Sequence, residues 1–332
     1  MAYTTIDDPE AYFQVKTYTG NGAADNAITL DGDTNMQPDM VWIKDRASNG
    51  WCCFDDVRGV TKRLDCAESA AETTDADTLD AFQSDGFRVD ADAKVNADGE
   101  DYLSFCWKET ATAGFDIVNF TGNGSARTIS HSLSAVPHLM IVKGVDYDDN
   151  FMVYHHNNTS APETEKQKLD ERGATADDDT VWNDTVGTSS VFTVGTSNAT
   201  NKDTGDIIAY LFSEKQGFSK FGTFGGNANA DGAFINLGFR PAMIILKRCD
   251  TINKNWALWD NKRVKYNPNN YSIWPDLPDE EYAPATGYRI DFLSNGMKMR
   301  ENHGDWNTGT MIYFAWAEAP FVNSEGVPGC AK

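Results

Sequence analysis

The strings KTYTGNG at 16–22 and VNFTGNG at 118–124 share an aromatic residue followed by Thr-Gly-Asn-Gly, and lie 118 − 16 = 102 positions apart. A third string, GTFGGNA at 222–228, sits 222 − 118 = 104 further on. One short match is within chance, so the test is whether other landmarks hold the same period. They do. Pro stands six residues before Lys in Pro38/Lys44, Pro137/Lys143 and Pro241/Lys247, with mostly apolar residues between. Aromatics three apart follow: Trp51/Phe54, Phe151/Tyr154 and Trp256/Trp259. FQSDGFRV, SVFTVG and FLSNGMKM then align Phe87, Phe192 and Met297. Each copy closes on an apolar run, YLSFCWKE, IIAYLFSE or MIYFAWAE, in which Trp107, Phe212 and Trp316 stand two before a Glu. Landmarks recurring in one order three times confine the chain to three copies of a unit of about 100 residues.

The expected division is an N-terminal arm over 1–11, units over 12–110, 114–215 and 217–319, and a C-terminal tail over 320–332. Apolar runs with little polar alternation read as strands covered on both faces. About six to eight short strands at roughly ten-residue spacing per unit predict an all-β fold of three tandem β-sandwich or jelly-roll-like modules. Gly and Asn tolerate positive φ, so the Gly-Asn strings predict turns at strand ends, extended toward a hairpin where Gly22 and Gly124 follow. Helix-favouring composition is confined to 66–76 and 163–172, both in the variable middle of their unit. The joints, Thr110 to Ala113 and Lys215-Gln216, are short, which favours a compact or stacked rod of units over beads on a string. The arm and tail carry little that would fold by itself, and such ends fray or dock on a neighbour.

Fifty acidic against 28 basic residues give 28 − 50 = −22, which repels phosphate backbones and anionic headgroups. Nucleic acid and membrane insertion are therefore excluded as expected partners. Six cysteines at 52, 53, 66, 106, 249 and 330 show no CxxC pair, so buried, reduced thiols are expected instead of a zinc knuckle or a disulfide scaffold. The opening MAYTTIDDPEAYF has neither a basic nor an apolar leader region, and the expectation is a soluble protein made in a cytoplasm.

The chemistry-bearing types form no catalytic constellation. His155-His156 are adjacent in a strand and point to opposite faces, which disfavours one shared metal ion. No GxSxG, P-loop or GxGxxG string is present. Asp31 to Asp33, Asp146 to Asp149 and Asn96 to Glu100 offer clustered oxygens without the EF-hand spacing, and read as turns. Glu109, Glu214 and Glu318 recur once per copy, which points to a shared structural role and away from a paired-carboxylate glycosidase. No catalytic residue, metal or cofactor is expected. Aromatics outside the repeat pattern are the candidate contact residues: Tyr147 and Trp182 in the second unit, and Tyr266, Tyr271, Trp274, Tyr282 and Trp306 in the third, four of them within the loop-rich stretch 262–288.

MAYTTIDDPEAYFQ, YTGNG, PDMVWIKDR, the DDVRG segment at 55–59 and FQSDGF resemble a recurrent domain of unknown function in structural proteins of tailed bacteriophages, often marine ones, many of them tail or tail-fibre proteins. The resemblance is close over the first copy and looser over the second and third, and PFVNSEGVPG resembles that family's C-terminus. The second copy departs most, lacking the VRG and SDGF strings. The resemblance implies a virion component assembled in the host cytoplasm, and it carries no catalytic residues. The resulting expectation is a non-enzymatic tail-fibre or receptor-binding component. Its partners would be other virion proteins and a host-surface glycan or protein, and it would be a homo-oligomer, a trimer if a fibre. The alternative is a capsid-decorating or tail-connecting protein.

Overall fold

The computed structural model describes residues 3–47, 49–284 and 286–330. The fold is all-β, and its strand pairings are antiparallel. A four-stranded ladder occurs three times with one strand order: opening strand, closing strand, lysine-bearing strand, aromatic strand. In the first copy these are Phe13–Thr19, Asp101–Trp107, Met40–Asp45 and Trp51–Asp55. They are Phe115–Thr121, Asp206–Phe212, Leu139–Gly144 and Met152–His155 in the second, and Ser219–Asn227, Thr308–Pro320, Phe239–Arg248 and Trp256–Asp260 in the third. The register also repeats. Lys44 pairs with Leu103, Lys143 with Ile208 and Lys247 with Ile312, each four residues before the closing aromatic.

The continuous apolar runs arise because both faces of each sheet are covered. Val41, Ile43, Phe54 and Tyr102 face outward onto a three-stranded sheet of Asn26–Ile28, Gly86–Val89 and Leu79–Gln83. The third copy has the same outer sheet, from Phe234–Asn236, Gly296–Met299 and Ile290–Leu293. In the second only Arg127–Ser130 and Val191–Val194 pair, while its main sheet gains Glu165–Lys168 and Ala176–Asp177. The alternate residues turn inward, where Trp42, Phe105 and Trp107 join Ile141, Tyr210 and Phe212 and Phe314 and Trp316 in one pooled core. The aromatics that close each repeat meet there. Trp107 and Phe212 stand edge-on to Trp316, with ring centres 5.6 and 5.4 Å away.

The three sheets close cyclically, so the expected rod is instead a ring. The loop after each aromatic strand docks on the next copy. Glu72 N–H donates to Val145 O at 2.7 Å, Thr175 N–H to Cys249 O at 2.8 Å, and Glu281 N–H returns to Arg46 O at 3.0 Å. Each acceptor lies two residues after the repeated lysine. Described arm residues dock on the chain itself: Ile6 is buried, Thr4 Oγ1 donates to Gln216 O, and Asp7 pairs with Ser324.

The Gly-Asn strings form corners from the central to the outer sheet, not hairpins. A side chain at Gly20, Gly122 or Gly226 would strike the segment before the closing strand, with a Cβ 2.2, 2.0 or 2.2 Å from its backbone. The following Asn locks onto a buried Asn there. Asn21 N–H reaches Asn96 Oδ1 at 2.9 Å, Asn123 N–H reaches Asn201 Oδ1 at 3.1 Å and Asn227 N–H reaches Asn307 Oδ1 at 3.2 Å, with amide groups returning the bond. Neither helix-favouring stretch is helical. Segment 163–172 begins in a 3-10 turn and continues as the strand Glu165–Lys168, while 66–76 is the docking loop. An inter-copy hydrogen bond from Glu72 holds 66–76, and pairing within the second copy with Met152–His155 and Ala176–Asp177 makes Glu165–Lys168 a strand, so tertiary partners override propensity at both.

Candidate functional site

The three docking loops share a frame. In the third copy Ser272 and Tyr282 exchange backbone bonds of 2.9 Å, which makes 273–281 a closed excursion. Its inner side is held by the first copy through three consecutive kinds of donor. Trp51 Nε1–H donates to Trp274 O at 2.9 Å, the Cys66 thiol to Pro275 O at 3.3 Å and the Lys44 ammonium to Pro278 O at 3.2 Å. Burial lowers the pKa of Lys44, with acidic neighbours led by Asp45 opposing the shift. Its equivalents Lys143 and Lys247 fall to about 8, also through burial. An ammonium surrounded by carbonyls satisfies loop termini that would otherwise be orphaned in a dry interior.

A buried arginine brackets the same loop. Arg263, with its side chain fully enclosed, binds Asp260 through Nε, Tyr271 O at 3.2 Å and Glu281 at 3.3 Å. Glu281 in turn accepts two bonds from Arg46 of the first copy, at 2.9 and 2.7 Å. The DDVRG segment is the same device in the first copy: Arg58 binds Asp55 at 2.6 Å and the loop carboxylate Glu72 at 3.0 Å. The second copy, which lacks VRG, has a neutral version in which Thr175 donates to Asn158 and Gln167 donates to Thr175, each at 2.6 Å.

Only the third docking loop turns aromatic rings outward; 66–72 reads CAESAAE and 168–175 reads KLDERGAT. Trp274 and Tyr282 stand 5.8 Å apart at 39° and, with Pro278, Asp279 and Glu280, line a surface cleft of about 360 Å³. An adjoining groove of about 430 Å³ shares Glu280 and is lined by Arg46, Glu100, Asp101, Tyr271 and Glu281 among others. Of the residues expected to make contacts, Trp274, Tyr282 and Tyr271 are thus brought together. Tyr266 is the most exposed of them, at 77%, but lines neither cavity. Trp306 is a correction. It is buried at 2% exposure, edge-on to Trp259 at 5.7 Å and 5.9 Å from the Tyr288 ring, so it belongs to the core and lines neither cavity. Tyr147 and Trp182 are likewise interior.

The other candidates have structural partners. His155 is fully buried, with Nδ1 accepting from Asn157 N–H and Nε2 facing Tyr313 O at 3.3 Å, so both nitrogens are engaged. Burial, helped by His156, pushes its pKa down to about 3. Glu109 and Glu214 each accept a backbone N–H from the next copy's opening strand, from Ile117 and Phe221. Glu318 pairs with Arg240. Burial and then Asp116 raise Glu109 to about 7. Among the described residues no cluster of three or more His, Cys, Asp or Glu side chains is placed to hold a metal ion. No helix of the described residues is long and apolar enough to cross a membrane.

Sequence reasoning read Asn96 only as part of a turn and missed Asn201 and Asn307, though each lies within five residues of a closing strand, and it missed Asp260/Arg263 as the third copy's counterpart of Asp55/Arg58. Both were legible as spacing.

Fold and site together define an all-β protein whose three like sheets share a core and whose third docking loop, held from behind by the first copy, presents an aromatic cleft. The chain belongs to a family described as a domain of unknown function (DUF7483), whose model matches residues 8–320 and so spans all three copies. None of the curated proteins matches the chain.

Proposed function

We propose that the protein is a non-catalytic structural component of a phage virion that attaches to the host surface, gripping a glycan at the Trp274/Tyr282 cleft. The virion assignment rests on the sequence resemblance of the first copy to tailed-phage structural proteins. The attachment role rests on one observation: of three equivalent docking loops, one alone carries outward aromatics, and that loop is fixed from behind by backbone carbonyls bonded to another copy. Aromatic faces on a rigid frame suit sugar rings, because stacking requires little ordering on binding. Retention of the purified chain on host cells and on empty capsids tests the reading. Retention on cells that weakens with Tyr282→Ala supports it; retention on capsids with none on cells removes it in favour of a capsid-decorating protein.

A further inference from the structure

The charge around the cleft selects among glycans. The carboxylates of Asp279 and Glu280 on its rim, and that of Glu100 in the adjoining groove, are exposed and accept no hydrogen bond among the described residues; the buried Lys44 ammonium, bonded to Pro278 O, acts on Asp279 from behind the cleft. Among the described lining residues of both cavities the one cation is Arg46, whose guanidinium is occupied by Glu281 at 2.7 and 2.9 Å and by Asp101 at 3.4 Å. Among the described lining residues no unengaged cation therefore faces either cavity, and a sialylated or phosphorylated sugar would meet three exposed carboxylates on a chain of net charge −22. An ammonium group fits the same surroundings twice over. It pairs with the rim carboxylates, and it is attracted to the faces of Trp274 and Tyr282.

Resting on the attachment reading above, we infer that the cleft takes a polysaccharide whose hexosamine units carry free amino groups. The pyranose ring lies on Tyr282 and Trp274, and the amino group points to Glu280, which both cavities share.

Binding of the full chain to a glucosamine tetramer, an N-acetylglucosamine tetramer, a sialylated trisaccharide and an oligolysine, measured by calorimetry at low and high salt, tests this. The glucosamine tetramer should bind about three- to tenfold tighter than its acetylated counterpart, from one exposed charge pair and one cation–π contact, and the preference should shrink in high salt. Glu280→Gln, a solvent-exposed change, should remove most of the preference, and Tyr282→Ala should weaken both sugars. Equal or tighter binding of the acetylated tetramer, still lost in Tyr282→Ala, overturns the amino-sugar inference and leaves the attachment reading standing. Oligolysine binding as tightly as the glucosamine tetramer also overturns the inference, since charge without a ring would then suffice. Binding of no saccharide, or binding indifferent to Tyr282→Ala and Glu280→Gln in variants that melt like the parent, overturns both.

Discussion

Trp316→Ala addresses whether the three copies are one cooperative body. Trp316 is 3% exposed and touches aromatics of every copy: Trp107 and Phe13 of the first, Phe212 of the second and Phe221 of its own, with ring centres between 5.1 and 5.8 Å apart along this chain of contacts. Removing the indole uncovers roughly 200 Å² of aromatic surface, which at about 25 cal/mol per Å² is about 5 kcal/mol as an upper bound. Truncations of buried Trp or Phe cost about 3–5 kcal/mol, so about 4 kcal/mol is the expected loss, a large share of a typical domain's stability of about 5–15 kcal/mol. Urea unfolding followed by fluorescence measures the size, and hydrogen exchange measures the reach. Because the lost contacts belong to the pooled core, protection should fall together in the closing strands Asp101–Trp107, Asp206–Phe212 and Thr308–Pro320. Trp316→Phe, which keeps an aromatic at the centre, should cost much less. Exchange that rises in Thr308–Pro320 while the other two closing strands keep full protection would refute the shared core and restore independent units.

Ala228 occupies the place of Gly22 and Gly124 with φ +53°. Ala228→Gly should therefore stabilise by about 0.5 kcal/mol, the relief of left-handed strain less the added chain entropy of Gly, read as a higher urea midpoint at unchanged m. Asn201→Ala strips four hydrogen bonds from a fully buried amide and leaves Ser125 O and Gly195 O unpaired, so a loss of about 3 kcal/mol is expected in the same assay. His155 and Glu109 oppose each other in acid. The folded pKa of His155 lies near 3, below its ordinary 6.5, so on acidification the unfolded chain takes the proton first and stability falls below pH 6.5. Glu109 near 7 lies above its ordinary 4.5, so its contribution is complete below pH 4.5 and is lost as pH rises through 7. Glu109→Gln should accordingly steepen the loss of stability between pH 6.5 and 5, and thermal melts across that range measure the slope.

What the sequence made legible was whatever each copy must do locally. The Gly-Asn corners, the doubly covered strands and the lysine register are dictated by backbone geometry and burial that every unit repeats, so they show as strings at a fixed period. What it hid is the ring. Lys44 looks like an ordinary strand residue until Pro278, 234 positions away, is seen to need its ammonium. CAESAAETTDA carries helix propensity, yet Glu72 N–H bonds to Val145 O and the segment stays a loop of turns with a short strand at Thr73–Thr74. Trp306 resembled Trp274 in standing outside the repeat pattern. Nothing local separates a ring that packs on Trp259 from one that stands on the rim, since the difference lies in which tertiary neighbour arrives first.

The second copy shows that docking itself needs no buried charge: the neutral bonds of Asn158, Gln167 and Thr175 seat its loop as closely as an arginine seats the others, with Thr175 N–H to Cys249 O at 2.8 Å. Buried ion pairs seldom add net stability, because desolvation offsets attraction, so stability is a weak reason for Arg58 and Arg263. What a planar five-donor group does supply is direction. Arg263 fixes both Tyr271 O and Glu281, one at each end of the aromatic loop, and Arg46 meets Glu281 from the first copy. Arg263, Glu281 and Arg46 therefore fix both ends of the loop at the seam where the ring closes, beside the groove that Arg46 and Glu281 line. Arg58 fixes the first copy's loop in the same way through Glu72, so the buried arginine sets loop geometry wherever it occurs, and the third copy adds Trp274 and Tyr282 to a loop already held by that device.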